Sequence, residues 1–487
     1  MRVKRIVGWL IVAVLGFLFV GPGTAVASPC TSFQTGNWND VTTWSCAAVP
    51  TDGNDVIIQS PHIVTITANS DAKTVTIEDG GTLQFDSNVT LFLRPANGDT
   101  AFNLVDGGDF VTNNTGTVRI NVASASSQAS IEGNPSFHNL TLARLSSGRG
   151  VVDFMGNSLT VSNQLQINTT TTFNVEDKIV NIGSIVFTNT SLTTTEQRLN
   201  FTDSAVTIGS ALPFVSSGST TFGTIDFTNA TVAVLGDLTP RQGVGANAWT
   251  FTGSTVVFAG SSLQTVDGTL NFANVIVNNG ATVEIASNTV IANSLTNNGR
   301  IQQTQDVTGP GDFAFLGLGS YGGVILNRGT TGSDLGETTV IIRGNQICNV
   351  GDELINRCFD ISPTNNSGLE ATVTFFWSQG ELNGNQCDAM NAYRWNGAAW
   401  DLPLTLDGSY GDSQGRNCPQ GLQSLRVREV TEFSPFGLKS GTSPTAVTLA
   451  NIGVNTAVSP FILLILLLLI TGTALSVTAV RRQTPTT

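Results

Sequence analysis

The sequence predicts an all-β protein: a parallel β-helix (solenoid), then a small β-sandwich, then a C-terminal transmembrane helix. The main evidence is a three-fold echo, FTDSAVTIG from Phe201, FTNATVAVLG from Phe227 and FTGSTVVFAG from Phe251. The copies start 26 and 24 residues apart, within the period range of solenoid repeats. Each carries a Val five residues after its Phe (Val206, Val232, Val256) and an apolar residue two further on (Ile208, Val234, Phe258). Alternation of this kind marks a strand with one buried face. A unit so short cannot bury that face alone, so neighbours must stack. Composition agrees: charged residues are 12% of the chain and Gly numbers 51, with Thr, Asn and Ser abundant. That mixture suits strands and tight turns. The apolar share of 40% is ample for a core.

The transmembrane expectation rests on residues 461–480, twenty without a charge, followed by Arg481 and Arg482. Their length matches a bilayer core, and the paired arginines place the C-terminal end in the cytoplasm. A lipid-attachment tail is disfavoured by that basic end. At the other terminus, Arg2, Lys4 and Arg5 precede an apolar run and then Ala25-Val26-Ala27, a secretory signal over residues 1–27. The expected order is therefore signal (1–27), N-terminal cap (28–62), parallel β-helix (63–310), β-sandwich-like domain (311–440), linker (441–458), and membrane anchor with basic tail (459–482). The bulk of the chain would stand outside the cell, at the surface.

That exported part is acidic. It holds all 35 Asp and Glu, against the 17 Lys and Arg left when three in the signal and two in the tail are taken from 22. Such a balance argues against nucleic acid or anionic membrane surfaces as partners. All six cysteines lie in it too. An even count in an oxidising compartment favours disulfides over thiol chemistry or metal binding. Cys30 and Cys46 are near neighbours, as are Cys348 and Cys358, which leaves Cys387 and Cys418; fifteen connectivities are open.

Along the chain, Gly36-Asn37-Trp38, Thr43-Trp44, Val49-Pro50 and Asp55-Val56-Ile57-Ile58 fall in an order that resembles the opening of bacterial cell-surface β-helix proteins. More distantly, it resembles the glycine-rich extracellular domain named for its eight glycines. A first coil needs an aromatic plug for its open end, and Trp38 and Trp44 fit that role, with Cys30–Cys46 as a clamp. The functional alternative is a sugar-stacking platform on the same two rings. A second echo aligns IEGNPSFHNLTL (131–142) with VDGTLNFANVIV (266–277), matching Phe137 with Phe272 and Asn139 with Asn274. Gln128 and Gln264 stand just upstream, and this Gln–acid–Gly–Phe-x-Asn arrangement is also similar to that surface family. An Asn at a fixed place in each coil can satisfy turn backbone and stack in a ladder. At the far end, Ile361-Ser362-Pro363, Glu381-Leu382-Asn383-Gly384, Tyr393-Arg394-Trp395, Trp400 and Phe433-Ser434-Pro435-Phe436 resemble a sandwich-like module near the C-terminus of many bacterial surface proteins. Asn396-Gly397 favours a tight hairpin with Trp395 and Trp400 on its arms.

Chemistry is sparse. The two histidines, His62 and His138, lie far apart, and His138 occupies the place of Ala273 in the parallel repeat. No P-loop, GxGxxG, GxSxG or HExxH occurs. Parallel β-helices often carry polysaccharide lyases and hydrolases, which need carboxylates converging from successive coils. One column can be tested: Asp203, Asn229 and Gly253 stand two residues after each opening Phe, and acid is not repeated there, so the column reads as a turn. Asp52/Asp55 and Asp106/Asp109 could at most hold weak structural calcium; no cofactor is otherwise expected. Arg144 and Arg149 near Asp153 could serve a lyase only by analogy of fold. The tail also resembles bacterial sorting signals, without an LPxTG ahead of the span. The expected function is a non-enzymatic, membrane-anchored surface protein, adhesin-like or structural, whose rod displays a ligand-binding face to surface polysaccharide or another cell-surface component. The alternatives are a polysaccharide lyase or hydrolase on the same fold, and a passive wall component.

Overall fold

Val206 pairs with Val232, and Val232 with Val256, in parallel register, and all three are buried. The three-fold echo is thus one column of a stack. The structure, a computed structural model, describes residues 29–442 apart from 124–126, 146–149, 169–170, 189–196, 210–211, 214–222, 240–248, 267–269, 287–288, 331, 347 and 349–352. The expected signal (1–27) and membrane anchor (459–482) lie outside the described residues. Among the described residues, no helix is long and apolar enough to cross a membrane.

The chain forms a parallel β-solenoid of about 10 turns. Two sheets run along it, one of 10 strands from Cys30–Thr31 to Trp249–Thr250, the other of 11 from Ser70–Ala72 to Val290–Asn297. We call these the first and second faces. A third face of 4 strands, Gly36–Asn37 to Asp109–Val111, closes the early coils. In the middle coils the long strands Ser136–Arg144, Ser158–Asn168 and Ile179–Thr188 replace it, and register slips between Phe137 and Asn139 and between Val161 and Gln164 let one strand turn the corner. At about 4.8 Å per strand the stack is roughly 50 Å long.

Its interior is filled by recurrence. Phe201, Phe227 and Phe251 stack nearly parallel, at centroid distances of 5.4 and 5.3 Å. Each such buried ring contributes roughly 1.5–3 kcal/mol relative to exposure. Turns recur as well. Asp177, Asp203 and Asn229 take φ of 55°, 51° and 53°, and Gly253 follows at 68°. The amides of Asp177, Asp203 and Asn229 donate to Thr202, Thr228 and Thr252 one coil along, at 2.8–2.9 Å. The left-handed conformation tolerates Asp, Asn and Gly, which explains why Asp177 and Asp203 give way to Asn229 and then Gly253 along this column.

The second echo holds in part. Asn139 and Asn274 both sit at a corner just after a register slip, where their amides donate to Gly116 O and Ser254 O. The two upstream glutamines, however, are not equivalent. Gln128 is exposed on the first face, while Gln264 is buried and donates to the carbonyls of Val234 and Gly236. They separate because Gln128 opens a strand of the first face, whereas Gln264 lies on Leu263–Val266, a strand of the rebuilt third face.

Both ends are closed. At the start, Trp38 and Trp44 meet edge-on at 5.0 Å, beside the Cys30–Cys46 disulfide. At the other end, Arg300–Val307 pairs antiparallel with Gly336–Gly344 over eight residues. The solenoid's rebuilt third face therefore continues into the C-terminal strands Arg357–Pro363, Pro435–Ser440 and Met390–Arg394 as one sheet of 9 strands. A 5-stranded antiparallel sheet containing Ala371–Ser378 and Leu422–Val430 faces it. Phe375 touches Phe359 at 5.0 Å and Phe436 at 5.4 Å between the sheets. Cys348–Cys358 and Cys387–Cys418 are disulfide-bonded here. Trp395 and Trp400 do face each other across a turn, but four residues span it. The Asn396 side chain accepts from the amides of Ala398 and Ala399, so this is a wider loop than the two-residue turn that Asn-Gly suggested.

A buried polar cluster fastens rod to sandwich. Arg357, 1% exposed, donates through Nη1 to the carbonyls of Tyr321 and Phe376 at 3.0 and 2.8 Å. Its guanidinium also lies 3.9 Å over the Tyr321 ring. From the last solenoid coil, Asn297 Nδ2 donates to Tyr321 Oη and to Ile342 O, both at 3.0 Å.

Candidate functional site

The first face carries its chemistry on the outward residues of successive strands. Asp153 is registered with Asn174, Asn174 with Asn200, and Asn200 with Asp226; Thr250 follows. Alternation forces this arrangement: the neighbours Phe154, Val175, Phe201 and Phe227 point inward and are buried, so the preceding residues point out. With strands about 4.8 Å apart, side chains in such a column touch. Asn174 Nδ2 donates to Asp153 Oδ1 at 2.7 Å, and Asn200 Nδ2 to Asn174 Oδ1 at 2.8 Å. Gln128 Nε2 donates to Asp153 Oδ2 at 2.5 Å. Thr228 and Thr250 donate their hydroxyls to Asp226 Oδ1 at 2.9 and 2.8 Å.

This ladder forms the floor of a groove of about 560 Å³, lined also by Met155, Glu176, Arg198 and Thr202. Met155 is 62% exposed. The groove thus combines an apolar side chain, hydrogen-bonding groups in a row and three carboxylates against one guanidinium. A smaller pocket of about 260 Å³ lies over the Arg357–Glu381 cluster, where every guanidinium nitrogen of Arg357 has a partner.

Several expected sites take other roles. Trp38 and Trp44 are 0% and 3% exposed, so neither presents a ring face to a sugar; the indole of Trp44 donates instead to Trp38 O at 2.7 Å. Asp52 is paired with Arg94 at 2.5 Å and Asp55 with Lys73 at 3.3 Å, so cationic side chains already sit against both carboxylates. Among the described residues no three His, Cys, Asp or Glu converge as metal ligands. His62 Nδ1 lies 3.0 Å from Ser32 Oγ, and His138 Nδ1 lies 3.1 Å from Ser162 Oγ; the two rings are far apart in the stack. Arg144 ends a strand of the second face, away from the Asp153 ladder, and burial depresses its pKa. Arg149 lies outside the described residues.

The groove residues Asn174, Arg198, Asn200 and Asp226 were not singled out by sequence reasoning. A signal exists in the sequence: Asn200, Asp226 and Thr250 each stand immediately before the opening Phe of an echo copy.

No family model, no curated protein and no solved structure matches this chain.

Proposed function

We propose that this chain is an exported, membrane-anchored rod holding a non-enzymatic ligand-binding face outside the cell, in the adhesion or envelope class. The supporting observation is the first-face groove, where polar side chains from four consecutive coils line up along the rod. Hydrolytic or lyase chemistry is the second reading, and the same ladder weighs against it. Asp153 and Asp226 stand three strand spacings apart, roughly 14 Å, whereas glycosidase carboxylate pairs sit about 5–9.5 Å apart. Both oxygens of Asp153 already accept amide hydrogens, so this carboxylate is engaged in holding the ladder. The signal and anchor expected at the termini, together with the disulfides, support an extracytoplasmic address.

The test is to incubate the full-length chain with a polysaccharide panel and follow both binding and products. Saturable binding without cleavage is expected. Cleavage products would replace this reading with the enzymatic one, and neither binding nor products would favour a passive wall component. Intact mass of the surface form is expected to show loss of residues 1–27 and retention of the C-terminal span.

A further inference from the structure

The ladder in the groove has a direction, and the direction runs out. Ionised Asp153 can only accept, so Asn174 must turn its NH2 toward it and its oxygen toward the next coil. Asn200 therefore donates to Asn174, and its own Oδ1 is left for the side of Asp226. Asp226 is registered directly against Asn200, and it too can only accept. Both of its partners, Thr228 and Thr250, donate to the same oxygen, Oδ1. Among the described residues nothing donates to Asn200 Oδ1 or to Asp226 Oδ2. Asn200 Oδ1 and Asp226 Oδ2 thus stand on adjacent strands, with backbones about 4.8 Å apart, both half-buried on the floor of the groove and both able only to accept.

We infer that this junction is a recognition point for a ligand that supplies hydrogen-bond donors: a neutral or amine-bearing polysaccharide lying along the stacked coils. Its hydroxyl or ammonium hydrogens would bridge Asn200 Oδ1 and Asp226 Oδ2. Hydrogen bonds that involve an ionised partner are the stronger kind. Met155, 62% exposed, offers an apolar surface for the C–H face of a sugar ring. Asp153, Glu176 and Asp226 against Arg198 give the groove a net negative charge, which disfavours uronate or sulfated chains. The inference rests on the ligand-binding reading above and adds the class of ligand and the point of contact.

Asp226→Asn is the discriminating substitution. The new Oδ1 would still accept from Thr228 and Thr250, while the new NH2 would donate to Asn200 Oδ1 and complete the ladder from within. Binding of neutral and amino-sugar oligosaccharides to the full-length chain is expected to weaken about tenfold or more, with the melting temperature unchanged or slightly raised. Asp203→Asn, in the left-handed turn column, removes the same charge outside the groove and is expected to leave binding unchanged. If the wild type binds such glycans but Asp226→Asn binds them equally, the junction assignment falls and the ligand-binding reading stands. Preference for uronates, or calcium uptake that Asp226→Asn abolishes, would also overturn the assignment. If the wild type binds no glycan at all, both fall.

Discussion

Arg357 and Glu381 meet side by side, Nε to Oε1 at 3.0 Å and Nη2 to Oε2 at 2.8 Å, with both residues buried. Arg357 lies on the sheet that continues from the solenoid, and Glu381 follows a strand of the facing sheet. Glu381 Oε2 also accepts the amide of Ser378 at 2.8 Å, so the carboxylate is held from two sides. Removing one member of a buried pair strands the other. Arg357→Leu is expected to cost about 3–5 kcal/mol, read as a lower urea midpoint. Hydrogen exchange should rise first in Arg357–Pro363 and Ala371–Ser378. A loss below ~1 kcal/mol would mean that the pair does not fasten the module.

Tyr321 beneath that pair predicts an alkaline weakness. Burial is the main cause of its raised pKa, and the Glu381 charge adds to it, while Arg357 and the Asn297 hydrogen bond act the other way. The folded state thus holds the phenolic proton more tightly than the unfolded chain does. The associated stability is fully present below the unfolded pKa of about 10 and is lost as pH rises from there through the folded value. Unfolding free energy measured between pH 9 and 11 should fall, and Tyr321→Phe should flatten the slope. An unchanged slope in the variant would assign the loss to other groups.

The turn column predicts a different pattern of tolerance. Asn229 has φ of 53° and Gly253 of 68°. A Cβ on Gly253 would fall 2.3 Å from Asn229 Oδ1. Asn229→Gly should be nearly neutral, Asn229→Val should cost about 1–2 kcal/mol, and Gly253→Val should cost more because contact is added to strain. Melting temperatures of the three variants check the order.

Trp44 provides the test of the N-terminal plug. Trp44→Ala should destabilise the chain by about 3–5 kcal/mol. Trp44→Phe loses the 2.7 Å hydrogen bond to Trp38 O, leaves that buried carbonyl without its donor and should cost about 1 kcal/mol. Glycan binding should be the same in Trp44→Phe as in wild type. Loss of binding without loss of stability would restore the sugar-platform reading.

What could be read from the sequence followed the physics of burial. Inward residues such as Phe201, Val206 and Ile208 must be apolar in every coil, so their period survives in the sequence and exposes the stack. Special turns survive too, because Asp203, Asn229 and Gly253 share a backbone demand. Outward residues face no such filter. Asn200, Asp226 and Thr250 differ in size and charge, and only register makes them one column. The join at Arg357–Glu381 was hidden for another reason: the partners are 24 positions apart, one on a strand and the other in a short 3-10 turn beyond the facing sheet, and no local pattern marks a pairing made by tertiary packing. Likewise, the alignment of Gln128 with Gln264 failed because coils of different cross-section place the same short motif in different surroundings.

Consecutive copies of the echo lie one strand apart in register. Thr207 is registered with Ala233, and Ala233 with Val257, all on the outward side. Spin labels at Thr207→Cys and Ala233→Cys should show strong dipolar broadening at about 5 Å of backbone separation, and labels at Thr207→Cys and Val257→Cys weaker broadening at about 10 Å. Equal broadening in the two pairs, or none in either, would contradict the stacked solenoid.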